Sequence, residues 1–100
     1  MIEFAISFEL EFTLKEKLLE FKKRLEAVSA IVDLQINEGN TILFQGYYPE
    51  STVDDLLEEY AKYIKNSDEF LSYGTGGVDY MRIYYGRLEK CGVTPDGDWN

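Results

Sequence analysis

The side chains of this 100-residue chain that could do chemistry are almost all carboxylates. Glu9 and Glu11 stand two apart in the stretch Ile2 to Phe12. On a strand such residues share a face about 6.5–7 Å apart, a spacing that an acid/base pair can use. Nothing in the sequence builds a pocket around them, so two solvated glutamates on an exposed sheet face are the better expectation. The chain has no histidine, which removes the usual general base and the commonest transition-metal ligand and rules out Cys-His and Ser-His pairs. Cys91 is a lone thiol, expected to be incidental rather than nucleophilic. Gly74, Gly76 and Gly77 lead toward a strand and are flanked by Asp68, Glu69 and Asp79, whereas a phosphate cradle leads into a helix N-terminus. Asp96 and Asp98 are spaced like the first two ligands of a calcium loop, but the sequence given stops at Asn100 before the other ligands, and a turn is expected. The expectation is a non-enzyme with no metal or cofactor.

One constellation points to binding instead. Glu50, Asp54, Asp55, Glu58 and Glu59 crowd the start and outer face of a predicted helix, close in sequence to Tyr47, Tyr48 and Tyr63, with Asp68, Glu69 and Tyr73 soon after. Carboxylates steer a basic partner, and tyrosines give rigid contact area with a polar tip. The candidate partner-binding residues are therefore Tyr47, Asp54, Asp55, Glu58, Glu59, Tyr63 and Tyr73. A purely structural account competes: acidic residues suit a helix N-terminus, Glu58 can pair with Lys62 four residues on, and some tyrosines belong to the core.

Charge fits the binding account and, equally, a charge that simply keeps the protein soluble. Nineteen acidic against ten basic residues leave a net charge of −9, which disfavours direct contact with a phosphate backbone. The charge is uneven: residues 13–28 carry five basic and three acidic groups, and residues 38–79 carry two basic and nine acidic. The length suits one domain with its own core, expected over residues 1–90 with a tail at 91–100. A single cysteine, an N-terminus interrupted by Glu3, Glu9 and Glu11, and no long apolar run point to a cytoplasmic protein rather than a secreted or membrane one.

The elements that must position these groups follow from periodicity. Ile2, Phe4, Ile6, Phe8, Leu10 and Phe12 alternate with smaller or acidic residues, predicting a half-buried strand with Glu3, Glu9 and Glu11 on its other face. Thr13 and Glu16 make a capping box for a helix whose inner stripe is Leu14, Leu18, Phe21, Leu25 and Val28, with a Glu20–Arg24 pair on its surface. Val32, Leu34 and Ile36, then Glu38-Gly39-Asn40, then Ile42, Phe44 and Tyr48 predict a hairpin ended by Pro49. Ser51 or Thr52 caps a second helix with Val53, Leu56, Leu57, Tyr60 and Ile64 inside. Phe70 and Leu71 form a short anchor. Val78 to Leu88 is the last strand, with Met81, Ile83 and Tyr85 directed at the core.

The resulting β-α-β-β-α-β order predicts an α+β two-layer sandwich, a four-stranded antiparallel sheet with both helices on one face, and resembles the ferredoxin-like arrangement across about residues 2–88. No family motif accompanies that resemblance, so it implies a fold and no activity. In size and charge alone the chain resembles toxin-immunity proteins and phage anti-defence proteins such as anti-CRISPRs. The functional expectation is an acidic inhibitor or antidote that acts as a nucleic-acid mimic, occluding the basic nucleic-acid site of a partner protein such as a nuclease. It would bind no nucleic acid and no membrane itself. The alternative is a ferredoxin-like module that self-associates as a homodimer through its free sheet face, for small-ligand binding or assembly.

Overall fold

A computed structural model describes residues 3–49, 52–74 and 77–91. The alternating stretch forms β1 (Glu3–Glu11), and Ile6, Phe8, Leu10 and, just beyond it, Phe12 are all buried. Four large apolar side chains on one face make this strand the floor of the core, since each contributes about 1.5–3 kcal/mol when fully buried. α1 (Lys15–Val28) follows, then β2 (Ala30–Asn37) and β3 (Thr41–Pro49), α2 (Thr52–Tyr60) with a 3₁₀ turn at Ala61–Tyr63, and three strands: β4 (Phe70–Gly74), β5 (Gly77–Tyr84) and β6 (Arg87–Cys91).

The fold is α+β, but its sheet has six strands rather than four, in the order β2-β3-β1-β4-β5-β6, with antiparallel pairing throughout. The four-stranded ferredoxin-like expectation fails at the C-terminal end for two reasons. Phe70 and Leu71 are not an isolated anchor but belong to β4, which pairs with β1 and β5. The single strand expected over Val78–Leu88 is instead a hairpin, because Tyr84 pairs with Arg87 across a two-residue turn. Tyr85 and Gly86 have φ of 48° and 77°, the left-handed pair that a tight hairpin turn needs. Met81 and Ile83 are buried, while Tyr85 sits in the turn and is 74% exposed.

Both helices cover the inner face. Leu18, Phe21 and Leu25 of α1 and Val53, Leu56, Leu57 and Tyr60 of α2 are buried there in one cluster with Ile42, Phe44, Tyr48, Phe70, Met81 and Ile83. Ile64 is also buried, but beyond the helix, where it bridges to Phe12.

The expected cap at Thr13 is not made. Its backbone N–H and its hydroxyl both donate to the Tyr63 carbonyl, at 2.8 and 3.2 Å, and Leu14 takes the N-cap position and stays exposed. The anticipated Glu20–Arg24 pair is likewise absent among the described residues, because both side chains turn toward α2. Arg24 donates to Glu59 and, at 3.3 Å, to the Tyr60 hydroxyl, which in turn donates to Glu20 at 3.2 Å.

β2 departs from its predicted alternation. Ile31 pairs with Gly46 and Asp33 with Gln45, so Val32 is the extra residue of a β-bulge and stands 59% exposed instead of facing the core. Glu50, Ser51, Thr75, Gly76 and the expected tail beyond Cys91, including Asp96 and Asp98, lie outside the described residues.

Candidate functional site: the outer sheet face

The seven residues singled out from the sequence are distributed over two sides of the sheet. Asp54, Asp55, Glu58 and Glu59 lie on α2, above the inner face, and Tyr63 lies at the end of the same layer. Tyr47 and Tyr73 point the opposite way, because their strand neighbours Tyr48 and Ser72 are buried against the helices. No surface gathers all seven.

Within the helical layer much of the charge is already matched. Glu59 is held by Arg24, whose hydrogen bond lowers the carboxyl pKa, and the same bond raises that of the guanidinium. Asp54 accepts from Lys90 Nζ at 2.7 Å and from the Tyr48 hydroxyl at 3.0 Å. Burial works against the Lys90 ammonium, but the bond to Asp54 and the charges of Asp54, Asp79 and Glu58 outweigh it and raise its pKa. Tyr63 is half-buried under two cations, with Lys17 and Lys62 at 5.0 and 5.3 Å from its ring. Lys62 forms no ion pair with Glu58 among the described residues. Of the four α2 carboxylates, Asp55 and Glu58 are the exposed ones that have no ion pair among the described residues.

The outer face over β3, β1 and β4 is different. β4 pairs with β1 only at Ala5–Ser7. Beyond Ser7 the chain before β4 swings away from β1: Lys65 N–H donates to the Glu11 carbonyl at 2.8 Å, but Ser67 exchanges backbone and side-chain bonds with Ile83 and Asn66 accepts from Tyr85 N–H. The divergence opens a groove of about 590 Å³ whose acidic lining is Glu9, Glu11, Asp68 and Glu69. Phe8 and Phe70, their rings tilted at 55° with centroids 5.6 Å apart, contribute to its lining. Glu11 is tied to Lys65 at 2.8 Å. Glu9, Asp68 and Glu69 have no ion pair among the described residues. The Glu3 side chain, expected in the same row, lies outside the described ones.

Next to this groove lies a smaller slot of about 110 Å³ lined by Tyr47, Tyr73, Ala5, Ser7 and the bulged Val32. Ala5 is in register with Tyr47 on one side and Tyr73 on the other, so the two rings, 49% and 51% exposed, stand either side of a methyl group. Ser7 lines both cavities and joins them.

Comparison with known protein families, curated proteins and solved structures gives no match. The site must speak through its chemistry. A groove does hold both Glu9 and Glu11, contrary to expectation; in it Glu11 pairs with Lys65, and the Asn66 and Ser67 side-chain oxygens already accept backbone bonds. Among the described residues no group of three or more His, Cys, Asp or Glu is arranged to hold a metal ion, and no helix is long and apolar enough to cross a membrane. Sequence reasoning missed Asp68 and Glu69 as partners of Glu9, because their approach depends on where the chain before β4 leaves β1.

Proposed function

We propose that this chain is a small, non-catalytic inhibitor or antidote of the immunity or anti-defence type, which occludes the basic nucleic-acid-binding surface of a partner protein by offering carboxylates in place of phosphates. The observation that carries this reading is the acidic groove: Glu9 on β1 and the consecutive Asp68 and Glu69 before β4 line it and lack counter-ions among the described residues, while α1 and α2 neutralise part of each other's charge through Arg24 and Glu59. The net charge of −9 adds a long-range pull on any basic surface. The binding face is thus the outer side of the sheet, with Asp55 and Glu58 of α2 as a lesser acidic surface.

Self-association through the same face is the competing reading, supported by exposed Tyr47, Tyr73 and Val32. Two copies meeting there would bring the groove carboxylates together, which like-charge repulsion opposes.

Affinity capture at low salt from cells that contain the partner, followed by release in about 1 M salt, tests the proposal, because screening at that strength removes surface electrostatics. The captured protein should bind nucleic acid, and this chain and nucleic acid should compete for it. A partner that stays bound through the high-salt wash, or that holds nucleic acid and this chain together with undiminished affinity, would refute the reading.

A further inference from the structure

We propose that the slot between Tyr47 and Tyr73 receives an arginine side chain of the basic partner, with the acidic groove taking a second cation further along β1; this rests on the binding reading above and identifies its anchor. The slot is two strand spacings wide. Ala5 pairs with Tyr47 and with Tyr73, and adjacent strands lie about 4.8 Å apart, so the two tyrosine backbones are about 9–10 Å apart. Both tyrosines line the slot, which lies over the Ala5 methyl and has room for one small planar group. A guanidinium is planar, weakly hydrated and stacks on aromatic faces, whereas an ammonium is compact and strongly hydrated.

The lining itself carries no charge: Ala5, Ile6, Ser7, Val32, Gln45, Gly46, Tyr47 and Tyr73. The attraction comes from the adjoining groove with Glu9, Asp68 and Glu69. That charge also separates arginine from the other planar group of similar shape, a nucleobase, because the attached phosphates would lie against carboxylates. One wall of the slot exists because of the β2 bulge, which turns Val32 outward beside Tyr47.

Glu9 is four residues beyond Ala5 on the same face, about 13 Å along the strand. An extended segment with basic residues at positions one and five would place one in the slot and the other in the groove.

The test is a titration of the full chain, followed by backbone amide resonances, with a pentapeptide bearing arginine at its first and fifth positions and glycine and serine between. Expected are shifts at Ala5, Ser7, Tyr47, Tyr73 and Glu9, with affinity about 3- to 10-fold lower for Tyr73→Ala, retained for Tyr73→Phe, and lower again when the first arginine is replaced by uncharged citrulline. Several outcomes overturn the slot: equal affinity for the citrulline peptide, no shift at about 10 mM peptide, shifts centred on Asp55 and Glu58, or tighter binding of a short oligonucleotide at Tyr47 and Tyr73. Shifts confined to Glu9, Asp68 and Glu69 overturn the slot and leave the acidic-face reading standing. Failure of that reading itself shows separately, as salt-resistant capture.

Discussion

The Tyr48 hydroxyl donates to the Asp54 carboxylate at 3.0 Å, joining the buried face of β3 to the first turn of α2. Ser72 of β4 lies 2.7 Å from the same oxygen, and Lys90 of β6 reaches Asp54 from the other side at 2.7 Å. One carboxylate thus connects a helix to two strands, and the Tyr48 hydroxyl links in a third. Asp54 is a fold residue first, and it cannot be reversed in charge as a clean test of binding.

Tyr48→Phe should therefore cost about 1–2 kcal/mol of unfolding free energy, since the half-buried Asp54 and the buried Ser72 both lose the phenol as a partner, and Asp54→Asn about 1–2 kcal/mol, because Lys90 also loses its counter-charge. Chemical denaturation of the two variants checks both values. Asp55→Lys touches no such network and should cost at most about 1 kcal/mol, through the helix dipole, whereas Glu58→Lys puts a second cation near Lys90 and should cost more.

Alkaline pH should unfasten the same junction. Burial, reinforced by the Asp54 charge, raises the Tyr48 phenol above its ordinary 10.0, so its contribution is complete below that value and is lost as the pH climbs toward the folded pKa. Lys90 is raised above 10.5, so the stability from its charged form is likewise present below 10.5 and lost as the pH rises through the folded value. Melting temperature should hold between about pH 7 and 9 and fall above about pH 10, and Tyr48→Phe should blunt that fall. A melting temperature that does not change across pH 10 would contradict the assignment.

Gly46 should resist substitution. A Cβ there would lie 2.6 Å from the Ala30 carbonyl oxygen and 2.7 Å from the Phe44 ring, and the first of these is backbone beside the β2 bulge. Gly46→Ala is expected to cost about 1–3 kcal/mol and to disturb Val32, readable as loss of melting temperature together with amide shifts in residues 30–33.

Charge reversal in the groove is the complementary experiment. Glu9→Lys, Asp68→Lys and Glu69→Lys lie at exposed positions, so each should leave stability within about 0.5 kcal/mol of the parent. The same changes should lower the association rate with a basic partner and flatten its salt dependence, measured by stopped-flow mixing at two ionic strengths.

The periodic residues were legible because burial on a regular element is a local pattern. Ile6, Phe8, Leu10 and Phe12 repeat every two residues, while Leu18, Phe21 and Leu25, then Val53, Leu56, Leu57 and Tyr60, repeat at helical spacing, and all are buried. The hairpin at Tyr85-Gly86 was hidden because tyrosine in a left-handed turn position carries none of the asparagine or aspartate signal of such turns. The Val32 bulge was hidden because a one-residue slip leaves the composition of the strand unchanged.

By itself, then, the sequence determined the α+β class, the inner faces of β1, α1 and α2, and the excess of negative charge, each set by residue type and short-range spacing. Only the tertiary structure decided where that charge is free to act. Arg24 and Lys90 reach across elements to occupy Glu59 and Asp54. Meanwhile the early departure of the chain before β4 brings Asp68 and Glu69 alongside Glu9. Those pairings depend on contacts between residues far apart in the chain, and a local pattern holds no record of them.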